Sequence, residues 1–118
     1  MRVAESIIHE CMHLQLTLLE DRMPLIISAT ERHFSPWKGE WRNSSGILHA
    51  LYVFSVILHW IKAFPSHDRD INYIKRRVKQ ILSEVSQIEE IKHSDDLTPL
   101  AKMIVRYLFD YLPTDGAI

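Results

Sequence analysis

The stretch from Gly46 to about Phe64 constrains this chain more than any other part of it. Ile47, Leu48, Leu51, Val53, Phe54, Val56, Ile57, Leu58 and Trp60 leave a helix built from it with almost no polar side. Such a helix belongs at the centre of a bundle or in an interface. Three polar residues, His49, Ser55 and His59, interrupt the run, so the expectation is that it falls short of the roughly 20 apolar residues of a membrane span. Pro65 closes it, and Ser66 is the next N-cap candidate.

Three more segments carry helical spacing. The first runs from about Val3 to Glu20, with Ile7, Cys11, Leu14 and Leu18 predicted to form its core-facing stripe. The third, from about His67 to Lys92, places Ile71, Ile74, Val78, Ile81, Leu82, Val85 and Ile88 on one face. The fourth opens at Thr98–Pro99, a cap followed by a first-turn proline. It reaches about Leu112 through Leu100, Ile104, Leu108 and Tyr111. Between the first and second helices, Ser28 to Ser45 reads as a long aromatic loop, punctuated by Pro36 and Gly39 and carrying Phe34, Trp37 and Trp41. With only three glycines and no evident alternation of apolar and polar residues, nothing points to a sheet. The expected fold is all-α, a small bundle of about four helices in one domain spanning residues 1–118.

Charge excludes some functions. Fourteen basic and fifteen acidic residues balance to a net charge of −1, which gives no electrostatic basis for nucleic acid or an anionic membrane. A lone Cys11 rules out an internal disulfide framework and a cysteine-rich zinc module. Glu5, His9 and Glu10 break any resemblance of the first segment to a signal peptide. A soluble cytoplasmic protein is the expectation.

Histidine is the residue in excess, at seven of 118. Two of the seven form His9–Glu10–Cys11–Met12–His13, an HExxH motif on the first helix. Residues four apart share a helix face, so both imidazoles can take adjacent positions on one metal, with Glu10 beside them as a base. The long zinc-peptidase form of the motif needs Gly and His where this chain has Leu16 and Leu19. The form with a glutamate from a second helix fails too, because no Asp or Glu lies between Glu40 and Asp68. The second helix offers His49 or His59 instead. They stand about 80° apart around it at about 100° per residue, and His49, next to the aromatic loop, is the preferred third ligand. His59 reads as a partly buried helix-end residue, His33, His67 and His93 as solvent-facing, and Cys11 as core.

With its neighbours, the motif extends to His9–Glu10–x–x–His13–Leu14–Gln15–Leu16, then Ser35–Pro36–Trp37, then Arg42–x–x–x–Gly46–Ile47–Leu48–His49–Ala50–x–Tyr52. This pattern resembles the HExxH-type peptide β-hydroxylases, iron(II)- and 2-oxoglutarate-dependent enzymes of ribosomal peptide maturation. The resemblance covers about Ile8 to Tyr52. It implies iron(II) held by His9, His13 and His49, Glu10 as an active-site carboxylate, Arg42 as the partner of an anionic group such as the distal carboxylate of 2-oxoglutarate, and a precursor peptide as substrate. Two departures stand out: Asn43 replaces the proline that usually follows the arginine, and members are commonly longer before the motif, so a short or truncated member is expected. Trp37 and Trp41, with Phe34, read equally as a lid over the substrate or as a hydrophobic plug on the second helix, and Arg42 reads also as a surface arginine paired with Glu40 or Glu31.

Two other readings use the same residues. In one, zinc replaces iron and Glu10 activates a metal-bound water for hydrolysis. In the other, the chain is a non-catalytic metal- or partner-binding helical module. The all-apolar second helix adds an expectation of its own, burial against a second copy or a partner protein.

Overall fold

The computed structural model describes residues 2–28, 30–63 and 71–112. They form α1 (Arg2–Arg22), β1 (Arg32–Ser35), β2 (Glu40–Asn43), α2 (Ser44–Ala63), α3 (Ile71–Ser86), a short 3-10 helix (Glu89–His93) and α4 (Pro99–Asp110). The chain is mostly helical, as expected. His67, the predicted start of the third helix, lies outside the described residues, as do Pro65, Ser66, Pro113 and Gly116.

Helix α2 is the axis of the bundle, packed by α1, α3, α4, the 3-10 helix and both strands. Its length and composition do meet those of a membrane span. The bundle accounts for that apolarity, since Ile47, Leu48, Leu51, Val53, Ile57, Leu58 and Ile61 are all buried inside it. Each such side chain contributes about 1.5–3 kcal/mol on leaving water. Most of the helix is thus covered within one chain. Asn43 caps its start, its Oδ1 accepting from the Gly46 N–H at 2.9 Å. Thr98 does the same for α4, accepting from the Ala101 N–H at 3.2 Å.

On α3 the predicted face is the packed one: Ile74, Val78, Ile81 and Val85 are buried, with Ile88 just beyond the helix. On α4 the centre of burial is Ala101 and Val105. Leu100, Ile104 and Leu108 flank it half-buried, and Tyr111 is exposed.

Two expectations are corrected here. The segment after α1 is no long aromatic loop: β1 and β2 pair antiparallel as a hairpin, with His33 opposite Arg42 and Phe34 opposite Trp41. Strands of four residues are too short for alternation to show. Their turn is closed by Gly39, whose φ of 65° suits glycine and whose N–H donates to the Ser35 carbonyl at 2.8 Å. The second correction concerns α1. Ile7, Leu14 and Leu18 are 59%, 61% and 58% exposed, and Cys11 is exposed rather than core. The face packed on the bundle is instead the one carrying Glu5, His9, Met12, His13, Leu16 and Leu19.

Asp96 seats the hairpin. Its buried carboxylate accepts from Ser28 Oγ and Thr30 Oγ1 at 2.7 Å each, from the Glu31 N–H at 2.9 Å and from Ser44 Oγ at 2.8 Å. Burial opposes the charge, but these donors outweigh it and hold the carboxyl far below the ordinary aspartate range. One side chain thereby ties the approach to β1, the first residue of α2 and the turn before α4.

Candidate metal centre

Glu5, His9, His13 and Glu20 recur on one side of α1 at spacings of four, four and seven, each close to whole helical turns. At the outer end of this row Glu5 is buried, accepting from Arg77 Nε at 2.8 Å and from the Tyr73 hydroxyl. Arg77 also lies over the Phe54 ring, 5.6 Å from its centroid. This anchor fixes the rotation of α1 so that the next two residues in the row, His9 and His13, face α2.

The first turns of α2 bring His49 to meet them. His9 Nε2 lies 3.1 Å from His13 Nε2, and His13 Nδ1 lies 3.3 Å from His49 Nδ1. His49 Nε2 stands 2.5 Å from Glu20 Oε1. The structure therefore brings together the three histidines singled out in the sequence, and adds Glu20, which sequence reasoning missed. The signal for it was available: eleven residues after His9 is about three turns, which returns to nearly the same angle on the helix.

One order of tautomers satisfies every contact among neutral rings. A carboxylate only accepts, so His49 donates its Nε2–H to Glu20 and keeps a lone pair on Nδ1. His13 then donates from Nδ1 to that lone pair, and His9 donates from Nε2 to His13 Nε2. Burial, and then the neighbouring charges of His9 and His49, lower the His13 pKa from its ordinary 6.5, with Lys38 adding to the shift and Glu10 opposing it. His13 thus stays neutral, the form in which imidazole accepts hydrogen bonds or ligates metals.

In this arrangement His13 turns different nitrogens to its two neighbours. Among the described residues, no three His, Cys, Asp or Glu side chains are grouped to hold one ion. The donor chemistry nevertheless fits a metal. Three imidazoles lie within hydrogen-bond reach in sequence, one of them oriented by a carboxylate, as metal-ligating histidines commonly are. The torsion that turns the His13 ring is a soft one.

Beside the histidines opens a cavity of about 520 Å³, lined by His9, His13 and His49 and by Trp37, Lys38, Arg42 and Phe54 among others. The hairpin forms one wall. Trp37 stacks flat on Phe54, ring centroids 4.9 Å apart and planes within 5°, and His9 meets the same Phe54 edge-on at 5.6 Å. Among the described residues Trp37 Nε1 is buried with no hydrogen-bond partner. Arg42 lines the cavity and also pairs with Glu40 at 3.1 Å, the arginine half-buried and the glutamate exposed.

Other candidates fall elsewhere. Trp41 is 65% exposed and packs edge-on against Phe34, away from the cavity lining. Glu10 is exposed and borders a smaller neighbouring cavity, shared with His9 and Arg77. His33 is not solvent-facing: its ring is mostly buried on β1, with Nε2 3.2 Å from Ser44 Oγ. His59 is exposed rather than partly buried, at the edge of the open groove between α2 and α4. His93 is exposed, as expected, and His67 lies outside the described residues. No protein-family model matches the chain, and no curated protein matches it.

Proposed function

We propose that this chain is an iron(II)- and 2-oxoglutarate-dependent oxygenase that hydroxylates a peptide residue at Cβ, with His9, His13 and His49 as the metal ligands. The observation that carries the proposal is the pairing of His49 with Glu20. That contact spends the Nε2 proton on a carboxylate and keeps the Nδ1 lone pair on the side of His13, available to a metal once the His13 ring turns away from it. The resemblance of the Ile8–Tyr52 segment to the HExxH-type peptide β-hydroxylases supplies the choice of metal and cosubstrate.

Bound iron would supply oxygen activation through the positions its protein ligands leave open. The chain's own part is binding, orientation and exclusion of water. Arg42, on the cavity wall, offers two parallel N–H donors to the distal carboxylate of 2-oxoglutarate, exchanging its exposed contact with Glu40 for a more sheltered one. Trp37, stacked on Phe54, walls the side where a peptide would enter and keeps water from the reacting carbon. Trp41, outside the lining, is left to the outer surface of the hairpin. Cytoplasmic location and a precursor-peptide partner belong to the same proposal.

Zinc hydrolysis would need Glu10 beside a metal-bound water. Glu10 is exposed and borders the neighbouring cavity instead, which counts against that role and equally leaves Glu10 out of the oxygenase site. The test is anaerobic addition of 2-oxoglutarate to the iron(II)-loaded protein. A visible charge-transfer band is expected, and Arg42→Lys should weaken cosubstrate binding by about 1–3 kcal/mol while leaving iron binding unchanged. Bound iron with no band and no 2-oxoglutarate affinity would refute the proposal.

A further inference from the structure

Helix α1 presents two opposed faces. The row of Glu5, His9, His13, Leu16 and Glu20 points into the bundle, and Ile7, Cys11, Leu14 and Leu18 lie about 170° around from it at about 100° per residue. These four are exposed, three of them by more than half, and Val3 beside them is 75% exposed. Their spacing of four, three and four is that of a helix-pairing seam. A continuous apolar stripe of this kind is not what monomers commonly leave in water.

We infer that this seam is a dimer interface, pairing α1 with α1 of a second copy, antiparallel about a two-fold axis. The spacing itself argues for a second copy. An axis passing between Met12 and His13 sets Ile7 against Leu18 of the other copy and Cys11 against its Leu14. The same axis repeats both pairs in reverse, so each exposed apolar side chain of the seam meets another. That is the self-complementarity an isologous interface requires.

Charge selects the direction. The seam continues to Ala4 at one end and Asp21 at the other, and Asp21 is exposed. Parallel pairing would press Asp21 against Asp21 of the second copy. Antiparallel pairing sets it beside Ala4, in the first turn of the other helix, where the helix dipole is positive and favours an acid. The contact is small: a 21-residue helix is about 31 Å long, so one helix from each copy meets over at most about six turns. The dimer is therefore expected to be reversible. The histidine cavity lies on the opposite side of α1 and stays open in both copies.

Sedimentation velocity on the whole chain across a wide concentration range tests the inference. A monomer–dimer equilibrium is expected, with Leu14→Glu raising the dissociation constant by about thirtyfold or more. Because Leu14 is exposed in the single chain, that variant should keep its far-UV circular dichroism, and its Tm should match that of the wild-type chain at concentrations where the wild type is monomeric. Direction is read by mild oxidation of an equal mixture of the wild-type chain and a Cys11→Ser/Leu14→Cys double variant. Antiparallel pairing gives mainly mixed disulfides between Cys11 and the introduced thiol. A strict monomer at all concentrations, a dimer indifferent to Leu14→Glu, or a predominance of like-with-like disulfides would each overturn the inference. The first of these would leave the seam to a different protein.

Discussion

His13 stands between two other imidazoles, and the ring that anchors the set is His49, held by Glu20. The carboxylate acts on the candidate centre only through that ring, so its role is positioning. Glu20→Gln keeps the size of the side chain but removes the negative charge that fixes the His49 tautomer. It should weaken metal binding by about 10–100-fold and leave the fold intact, because Glu20 is no part of the apolar core. Calorimetric metal titration of wild type and variant, beside their circular dichroism, checks both halves. Equal affinities would mean that the contact is incidental. In the sequence, two of the four residues were legible as a motif and His49 by elimination. Glu20 is harder to read because it lies seven residues beyond His13, outside the span of the motif.

The hairpin and α1 were the elements hardest to read. Each strand is only four residues long, so the pairing of Phe34 with Trp41 has no periodic signal to announce it. On α1, spacing alone favours the more apolar stripe as the core-facing one. The structure turns it outward because Glu5 is claimed by Arg77 and Tyr73, and His49 is held by Glu20. Helix ends were easier, since Thr98 and Pro99 act through local chemistry that tertiary packing does not override.

Asp96 carries the hairpin's attachment, and that attachment should depend on acidity. Its folded carboxyl stays ionised well below the ordinary value of 3.8, so in acid the unfolded chain binds the extra proton. The stability from Asp96 is therefore present above that value and is lost as pH falls through and below it. Between about pH 5 and pH 3 the wild-type Tm should drop, and Asp96→Asn, less stable at neutral pH, should drop less steeply. Parallel curves would assign the acid response to other groups. Phe54 tests the hairpin's other attachment, the stack beneath Trp37. Phe54→Ala should cost about 3–5 kcal/mol and shift tryptophan emission to the red as Trp37 meets water. An unchanged spectrum would show that the hairpin holds its place without the stack.

Taken together, the fold is a single apolar axis, α2, with chemistry gathered at its first turns. Those turns offer His49 to one neighbour, α1, and receive the hairpin with Arg42 and Trp37 from the other side. The all-α bundle was legible because α2 allows little else, whereas the packing of α1 by its polar face was not. That inversion follows from Glu5 and Glu20 finding partners on α3 and α2 on the inward side, beside the buried Leu16. On the proposed reading, His9, His13 and His49 close on one ion. X-ray absorption spectroscopy on the chain loaded with one equivalent of zinc(II) tests this directly, whichever metal is native. Three imidazoles at about 2.0–2.1 Å are expected, falling to two in His49→Ala. Two or fewer imidazoles in the wild-type chain, or a sulfur neighbour from Cys11, would contradict it.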